Sequence, residues 1–417
     1  MKRVLMIAFH FPPLAGSSGI QRTLRFMQHL PASGWQPLVL SAHPRVYERT
    51  STDLDAEVPA SVVVRRAFAL DTARDLAIGG RYPGMLARPD RWMSWRFDGV
   101  RQGLQMVREF RPDAIWSTYP IASAHVIGAE LQRRTGLPWI ADFRDPMAQQ
   151  GYPADPKTWA AFDAIEARAA RQARQLCFTT PSAAALYRQR YPDAAERISV
   201  LENGFDEDSF ASAQAALGTP TPLNPGRLTL LHSGTIYPAE RDPTHLIAGL
   251  AQLKAADPAL ASRLCLRFRA PVHGELLQTL AASAGVTELI EVLPPVGYGE
   301  ALAEMLRADA LLVLQASNCN EQVPAKLYEY LRAGRPIVCL SDPLGDTCAV
   351  LRDAGVTRHA GLDDAGAIAA LLGRVAAGDD SGLTAPAQGV AAASRSARSA
   401  QLAALLDASI APRVASS

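Results

Sequence analysis

Residues 310–340, ALLVLQASNCNEQVPAKLYEYLRAGRPIVCL, hold one complete strand–helix–strand unit. The run 310–315 is apolar without alternation, as a strand buried on both faces should be. A polar loop follows. Pro324 stands at the favoured first-turn position of a helix over 324–333. Gly334 ends that helix, and Arg335-Pro336 leads into a second strand over 336–340. A helical crossover between two strands implies a parallel sheet.

The same alternation extends in both directions. Downstream of residue 226 the apolar runs are 228–232, 264–269 and 288–293. The helical patterns are 243–256, 273–284 and 299–307, with further helices near 345–354 and 363–376. Upstream, strands are expected at 4–9, 37–41, 61–66, 113–117, 138–142, 175–179 and 197–202. Helices are expected at 20–30, 121–135, 157–174 and 182–190. Between the halves, 203–226 opens on Asn203-Gly204 and closes on Pro220, Pro222, Pro225 and Gly226. It reads as a linker with one short helical turn. The final stretch is rich in Ala and Ser, with a helix over 395–407 and an end expected to fray. Two α/β sheets joined by one linker leave a cleft, and open α/β sheets bind ligands at the carboxyl ends of their strands.

Composition narrows the function. The 417 residues carry 42 basic against 41 acidic side chains, a net charge of +1, which argues against a general nucleic-acid binder. No apolar run approaches the ~18 residues of a membrane-spanning helix. Val4–Phe9 is too short for a signal peptide core and is followed by Pro12-Pro13. The five cysteines form no C-x-x-C pair, so neither a disulfide framework nor a zinc cluster is expected, and the cytoplasm is the expected compartment.

Five stretches carry candidate chemistry. In 318–340, Glu321 precedes the helix and Glu329 lies within it, seven residues between them, with Lys326 in the first turn. A carboxylate can accept hydrogen bonds from sugar hydroxyls, and an ammonium can neutralise a diphosphate. The plain alternative is a surface helix with a Lys326–Glu329 pair. The chain has four lysines in all, which makes one here informative. The loop His10–Gly19 joins the first strand to the first helix, and Gly16 and Gly19 would let backbone approach an anion. It is not G-x-G-x-x-G and lacks the acidic partner of a nicotinamide site. In 232–243, Gly234 permits close approach and Arg241 can reach a phosphate; an ordinary loop before an Asp-Pro helix start is the alternative. In 141–146, Asp142 and Asp145 flank Arg144 at a strand's carboxyl end, either as a candidate base or as a structural Asp–Arg pair. Finally, 81–101 interleaves five arginines with Trp92, Trp95, Met85, Leu86, Met93 and Phe97. That mixture suits an anionic membrane surface, and equally a half-buried helix with a solvated basic face.

Over about residues 1–375 the chain resembles the GT-B glycosyltransferases of the family 4, or group 1, type. The resemblance is carried by FHFPPLAGSSGIQR, ADFRDP, ENGFD, HSGTIYPAERDP and EQVPAKLYEYLRAGRPIV. The last, with its two glutamates and the following Gly-x-Pro, is the most specific. The variants DFRDP and PAKLYEYL look most like bacterial enzymes of cell-surface or exopolysaccharide assembly. The resemblance implies an α/β fold of two Rossmann-like domains facing a central cleft. Residues 1–202 would be the acceptor side, 203–226 the linker, 227–380 the nucleotide-sugar donor side, and 381–417 a terminal helix and tail. It implies a hexosyl-type glycosyltransferase that moves a sugar from a nucleotide-sugar donor to a glycan or polyprenyl-linked acceptor. Configuration would be retained, and neither metal nor cofactor is expected.

The implied roles follow residue by residue. Glu329 would bond the nucleotide ribose and Glu321 the donor sugar. Lys326 and Arg241 would neutralise the diphosphate. Gly16, Gly19, Gly234, Thr235 and Asn203 would line the donor, with Asn203 and Gly204 at the interdomain crossing. Asp142, or else Asp145, would be the base if an inverting route applied. The chain departs from the pattern in three places. Ala15-Gly16-Ser17-Ser18-Gly19 replaces a Gly-Gly pair, Val323-Pro324 replaces Phe-Gly, and the histidine usual after the strand at 113–117 is missing. The nearest one is His125. Two other readings share the fold: a sugar-nucleotide 2-epimerase, and a non-catalytic nucleotide-sugar-binding subunit of a glycan-assembly complex. The Glu321, Lys326 and Glu329 set favours the transferase. Contact with the inner face of a membrane through 81–101 is a further expectation.

Overall fold

The computed structural model describes residues 1–15, 17 and 19–411. The chain divides into two compact units. One holds Met1–Glu202 and the C-terminal stretch from Arg395; the other holds Asn203–Ser394.

The first unit is built on seven parallel strands: β1 (Lys2–Ile7), β2 (Trp35–Ala42), β3 (Val63–Ala67), β4 (Ala114–Thr118), β5 (Trp139–Arg144), β6 (Gln175–Phe178) and β7 (Ile198–Val200). Their order is β3-β2-β1-β4-β5-β6-β7. Both faces are covered, and β1 shows how. Leu5 and Ile7 share a core with Met106 of helix Trp95–Phe110 and Ile127 of helix Ser123–Thr135. Val4 and Met6, one residue out of phase, share another with Leu24 and Met27 of helix Gly19–His29 and with Leu402 and Leu406 of helix Arg395–Ile410. Side chains alternate across a strand, so an all-apolar strand needs helices on both sides. Each such side chain contributes about 1.5–3 kcal/mol by leaving water. Helix Trp95–Phe110 presents Gly99 and Gly103 to its neighbour. A Cβ there would lie 2.6 Å from Ile127 Cδ1 or 2.5 Å from Leu131 Cδ1, so any larger residue would have to push those side chains aside. Asp407 of the last helix pairs with Lys2 and accepts a 2.9 Å hydrogen bond from Trp35 Nε1, which ties that helix to this unit.

The second unit has six parallel strands: β8 (Leu228–Ser233), β9 (Leu264–Arg269), β10 (Ile290–Leu293), β11 (Ala310–Gln315), β12 (Ile337–Ser341) and β13 (His359–Ala360), in the order β10-β9-β8-β11-β12-β13. In β11, Leu312 and Leu314 join one core, and Leu311 and Val313 the opposite one. In each sheet the strand order reverses at one place, between β1 and β4 and between β8 and β11. Loops leaving the carboxyl ends there diverge and open a crevice for ligands.

Several expectations change. Residues 203–226 hold the eleven-residue helix Glu207–Leu217, not a single turn. Asp206 caps it by accepting from Ser209 N at 3.1 Å, and Phe210 and Ala213 are buried in the core that holds Leu302 and Met305. This stretch is therefore packed structure within the second unit. The helix of 324–333 starts at Lys326, with Pro324 in the turn before it. β13 pairs with β12 over two residues, too few to leave a pattern in sequence.

In 81–101 the two tryptophans turn inward. Trp95 is fully buried, and Trp92 packs on Phe9 with ring centroids 4.7 Å apart. Arg88 pairs with Asp155, Arg91 with Asp71 and Glu48, and Arg101 with Asp98. Met85 and Phe97 remain exposed.

Candidate functional site

At the switch point of the second sheet, β8 ends in His232-Ser233 and continues into Gly234-Thr235. β11 ends in Gln315, and its loop returns as the helix headed by Lys326. Lys326 Nζ lies 3.2 Å from His232 Nε2. On the other side of that ring, Nδ1 sits 3.0 Å from the carbonyl of Leu312. A carbonyl can only accept, so Nδ1 carries the proton and Nε2 receives the ammonium of Lys326. Burial, then the charge of Lys326, holds His232 well below its ordinary pKa, which keeps the ring neutral.

Lys326 itself is pushed down to about 7, mainly by burial and then by the nearby Arg241, with Glu329 opposing. Arg241 donates from Nη1 to the carbonyl of Thr235 at 3.0 Å and stacks on Tyr237 at 5.1 Å. Its Nε is buried with no hydrogen-bond partner among the described residues. Neither cation has a carboxylate within ion-pair distance among those residues, although both lie close enough to repel. Two half-buried cations without counter-charge are costly unless an anion completes the site.

Gly234 makes the arrangement feasible. Its φ is +118°, and a Cβ on it would stand 2.9 Å from Lys326 Nζ. Its amide donates to Arg269 O at 2.8 Å, and Ser233 N donates to Tyr330 OH at 2.9 Å. These bonds fix the loop to β9 and to the helix that carries Lys326. Glu329, one turn on, accepts from Tyr298 OH at 2.9 Å. Glu321 is exposed in the loop before the helix. Of the residues expected at the donor, Gly234, Thr235, Arg241, Lys326 and Glu329 thus gather at one sheet edge. Asn203 is the first residue of the second unit, directly after the division between the units. His232, Tyr298 and Tyr330 were not singled out from sequence. His232 ends an apolar strand and gives no local sign of its partner 94 residues away.

In the first unit the outcome differs. Asp142 is fully buried and accepts from Arg22 Nε and Nη2, both at 2.8 Å, and from Thr118 Oγ1 at 2.9 Å. Arg22 also donates to the carbonyls of Leu201 and Glu202. Both carboxylate oxygens of Asp142 thus accept from neighbours inside the fold, which makes it the buried counter-charge of Arg22. Asp145 is exposed and accepts from Thr179 Oγ1 at 3.3 Å. His125 lies in the core, with Nδ1 2.8 Å from Ser117 Oγ and its ring 4.5 Å from Phe143. Burial lowers its pKa to about 4. Gly19 heads the first helix, and the space a Cβ would take there is filled by His10 Nδ1 and Arg144 Nη1, at 2.6 and 2.9 Å. Gly16 lies outside the described residues.

Comparison with known proteins bears on the family and the fold. Residues 18–204 match the family described as "Glycosyl transferase 4-like domain". That match covers most of the first unit, so this part of the chain is similar to the family 4 glycosyltransferases. D-inositol 3-phosphate glycosyltransferase of Streptomyces scabiei is 29% identical over 200 residues, covering 45% of this chain and 43% of that protein. The enzyme of the same name from Geodermatophilus obscurus is 28% identical over 274 residues, 62% of this chain and 55% of that one. The chain thus spans about half the length of the curated relatives it matches. Among solved structures, Anabaena HepE in complex with UDP-glucose superposes with a TM-score of 0.62 at 15% identity, over 98% of this chain and all of that one. An α,α-trehalose 6-phosphate synthase of Burkholderia multivorans gives 0.64 at 15% identity, over 98% and 97%. At such identities the likeness fixes the fold: two Rossmann-like units of the GT-B kind.

Proposed function

We propose that this chain is a glycosyltransferase that binds a nucleotide-sugar diphosphate at the switch point of its second sheet and transfers the sugar to a glycan or lipid-linked acceptor. The observation that carries the reading is the pair Lys326 and Arg241, half-buried beside Gly234 and held without a carboxylate. Glycosyl transfer breaks a sugar–phosphate bond through an oxocarbenium-like state, and negative charge grows on the departing diphosphate. Cations fixed where that charge develops lower the barrier. Glu329, one turn along the same helix, accepts from Tyr298 OH and is our candidate to accept from ribose hydroxyls. Glu321 is our candidate for the donor sugar.

With Asp142 paired to Arg22, Asp145 is the remaining candidate base for an inverting route; our reading takes the retaining route, which needs no such base. The acceptor then attacks on the face from which the phosphate leaves, and a phosphate oxygen takes its proton. Charge on the leaving group falls to Lys326 and Arg241, which supports metal-independent turnover. HepE is known in complex with UDP-glucose, and the curated relatives are named for D-inositol 3-phosphate. A UDP-sugar and a phosphorylated polyol are therefore the first donor and acceptor to try.

The test measures binding and slow hydrolysis of a nucleotide-sugar panel, with and without EDTA, for wild type and Glu329→Ala. One donor bound equally well in EDTA, and at least tenfold more weakly by the variant, is the expected result. No donor bound by wild type would overturn the reading. The anomeric configuration of the product decides retention.

No helix among the described residues is long and apolar enough to cross a membrane. We propose peripheral contact through 81–101, where Met85 and Phe97 are exposed and Arg81 and Arg96 stand nearby in sequence. Flotation with anionic vesicles checks this: wild type should float at low salt and Phe97→Ser should float less. A wild type that stays at the bottom of the gradient at low salt removes the idea.

A further inference from the structure

Arg144, the middle of the DFRDP stretch, has no part in donor binding as argued above. It ends β5 with φ +65°, a left-handed conformation that side chains other than glycine adopt at a cost. Its Nη1 donates to the carbonyl of Tyr119, just past β4, at 3.3 Å. The same nitrogen lies 2.9 Å from where a Cβ on Gly19 would stand, past β1. The guanidinium therefore lies over the β1/β4 switch point, although its own strand is one further along the sheet. A strained residue of this kind persists where its surroundings hold it, often for function.

The charge count around it is uneven. Arg22 and Arg144 are close enough to repel, and burial, then Arg22, lowers the pKa of Arg144, with Asp145 and Asp142 opposing from beyond ion-pair distance. Asp142, the nearest buried carboxylate, gives both oxygens to Arg22. Arg144 has no carboxylate within ion-pair distance among the described residues, and its Nε is buried with no hydrogen-bond partner. Beside it, His10 Nδ1 lies 2.9 Å from Ser17 Oγ. Burial, then the charge of Arg144, brings His10 to about 4, so the ring is neutral near pH 7 and contributes a hydrogen-bonding edge without further charge.

We infer that Arg144, with His10 and Ser17, forms a second anion site in the first unit, and that it receives a phosphate or phosphate-ester group of the acceptor. The planar guanidinium fork matches phosphate oxygens, and an anion there would supply the directly bonded counter-charge that no carboxylate among the described residues gives. Gly19 is glycine because the guanidinium and the imidazole both occupy its side-chain space. The inference rests on the proposed transferase reading, since it assigns the site to the acceptor of that reaction.

The experiment titrates inorganic phosphate into the full chain, followed by 31P line broadening, with and without saturating UDP. Wild type, Arg144→Gln and Arg144→Lys are compared. The expected result is phosphate binding that survives saturating UDP, weakens at least tenfold in Arg144→Gln, and recovers in part in Arg144→Lys. UDP affinity measured alongside should stay within about twofold across the three. Phosphate binding untouched by Arg144→Gln overturns the site. Phosphate displaced by UDP, with UDP affinity falling tenfold in Arg144→Gln, overturns the acceptor assignment and gives the anion to the donor. If Arg144→Gln fails to fold, Arg144→Lys decides: affinity equal to wild type, or no UDP-resistant phosphate binding in wild type itself, rejects the inference. A wild type that binds phosphate in this way but no nucleotide would sink the transferase reading and leave the anion site standing.

Discussion

At the carboxyl edge of the first sheet, Arg22 gives two nitrogens to Asp142 and two bonds to backbone carbonyls, so its charge is cancelled inside the fold. At the matching edge of the second sheet, Lys326 meets the lone pair of a neutral His232, Arg241 meets a carbonyl and the ring of Tyr237, and neither has a carboxylate within ion-pair distance among the described residues. Both edges are switch points of parallel sheets, and both are cationic. In one the protein provides the anion, with Arg144 left over beside it. In the other, among the described residues, it provides none at ion-pair distance. A buried ion pair holds a fold in register, whereas a buried cation without a counter-ion is available to a ligand. Sequence shows both as basic residues near glycine-rich turns, and the difference lies wholly in where the carboxylates point.

The largest expected effect is on stability. Asp142→Ala strands Arg22 as an unpaired charge at 5% side-chain exposure, and breaking such a pair costs about 3–5 kcal/mol. Thermal unfolding should show a large drop in Tm. The folded fraction should still bind donor normally. A variant of unchanged Tm that lost transfer would mean that Asp142 acts in chemistry, and the contrast between the edges would fail.

Next comes Lys326→Met, which removes a charge aimed at the leaving group. Transfer should fall about 10²–10³-fold, the scale of one preorganised electrostatic contact, with Tm unchanged or raised because a desolvated ammonium is gone. A collapse of Tm would place Lys326 with Arg22 as a structural cation.

Gly234→Ala sharpens the same point. The new methyl group meets Lys326 Nζ at 2.9 Å, on a backbone at φ +118°. Donor affinity should weaken about tenfold, alongside ~1–2 kcal/mol of destabilisation from the backbone alone. Calorimetry with UDP-glucose separates the two losses.

The smallest effect is with pH. Lys326 titrates near 7 in the empty site, and a bound diphosphate favours its protonated form. Affinity for UDP-glucose should be highest below pH 7. It should weaken as pH rises through and above that value, by up to about tenfold per unit until the raised pKa of the complex is reached. In Lys326→Met the slope should vanish. A flat wild-type profile from pH 6 to 9 would show that Lys326 does not face the anion.

The sequence by itself determined the architecture. Apolar runs such as 310–315 and 228–232 lack alternation because both faces are covered, and Gly334 and Pro336 mark where a helix stops and a strand begins. The spacing of Glu321, Lys326 and Glu329 was legible for the same reason: all three lie on one loop and one helix, so local geometry fixes their order. Tertiary structure decided the rest. His232 meets Lys326 across 94 residues, and Arg22 reaches Asp142 across 120. The three-turn helix Glu207–Leu217 was hidden in a stretch read as linker, and its burial depends on Leu302 and Met305 far along the chain. Trp92 and Trp95, readable as a membrane face, turn into a core formed with Phe9. Local sequence states which groups are charged or apolar. Whether a charge is cancelled, or an aromatic buried, depends on partners that only the folded chain brings within a few ångströms.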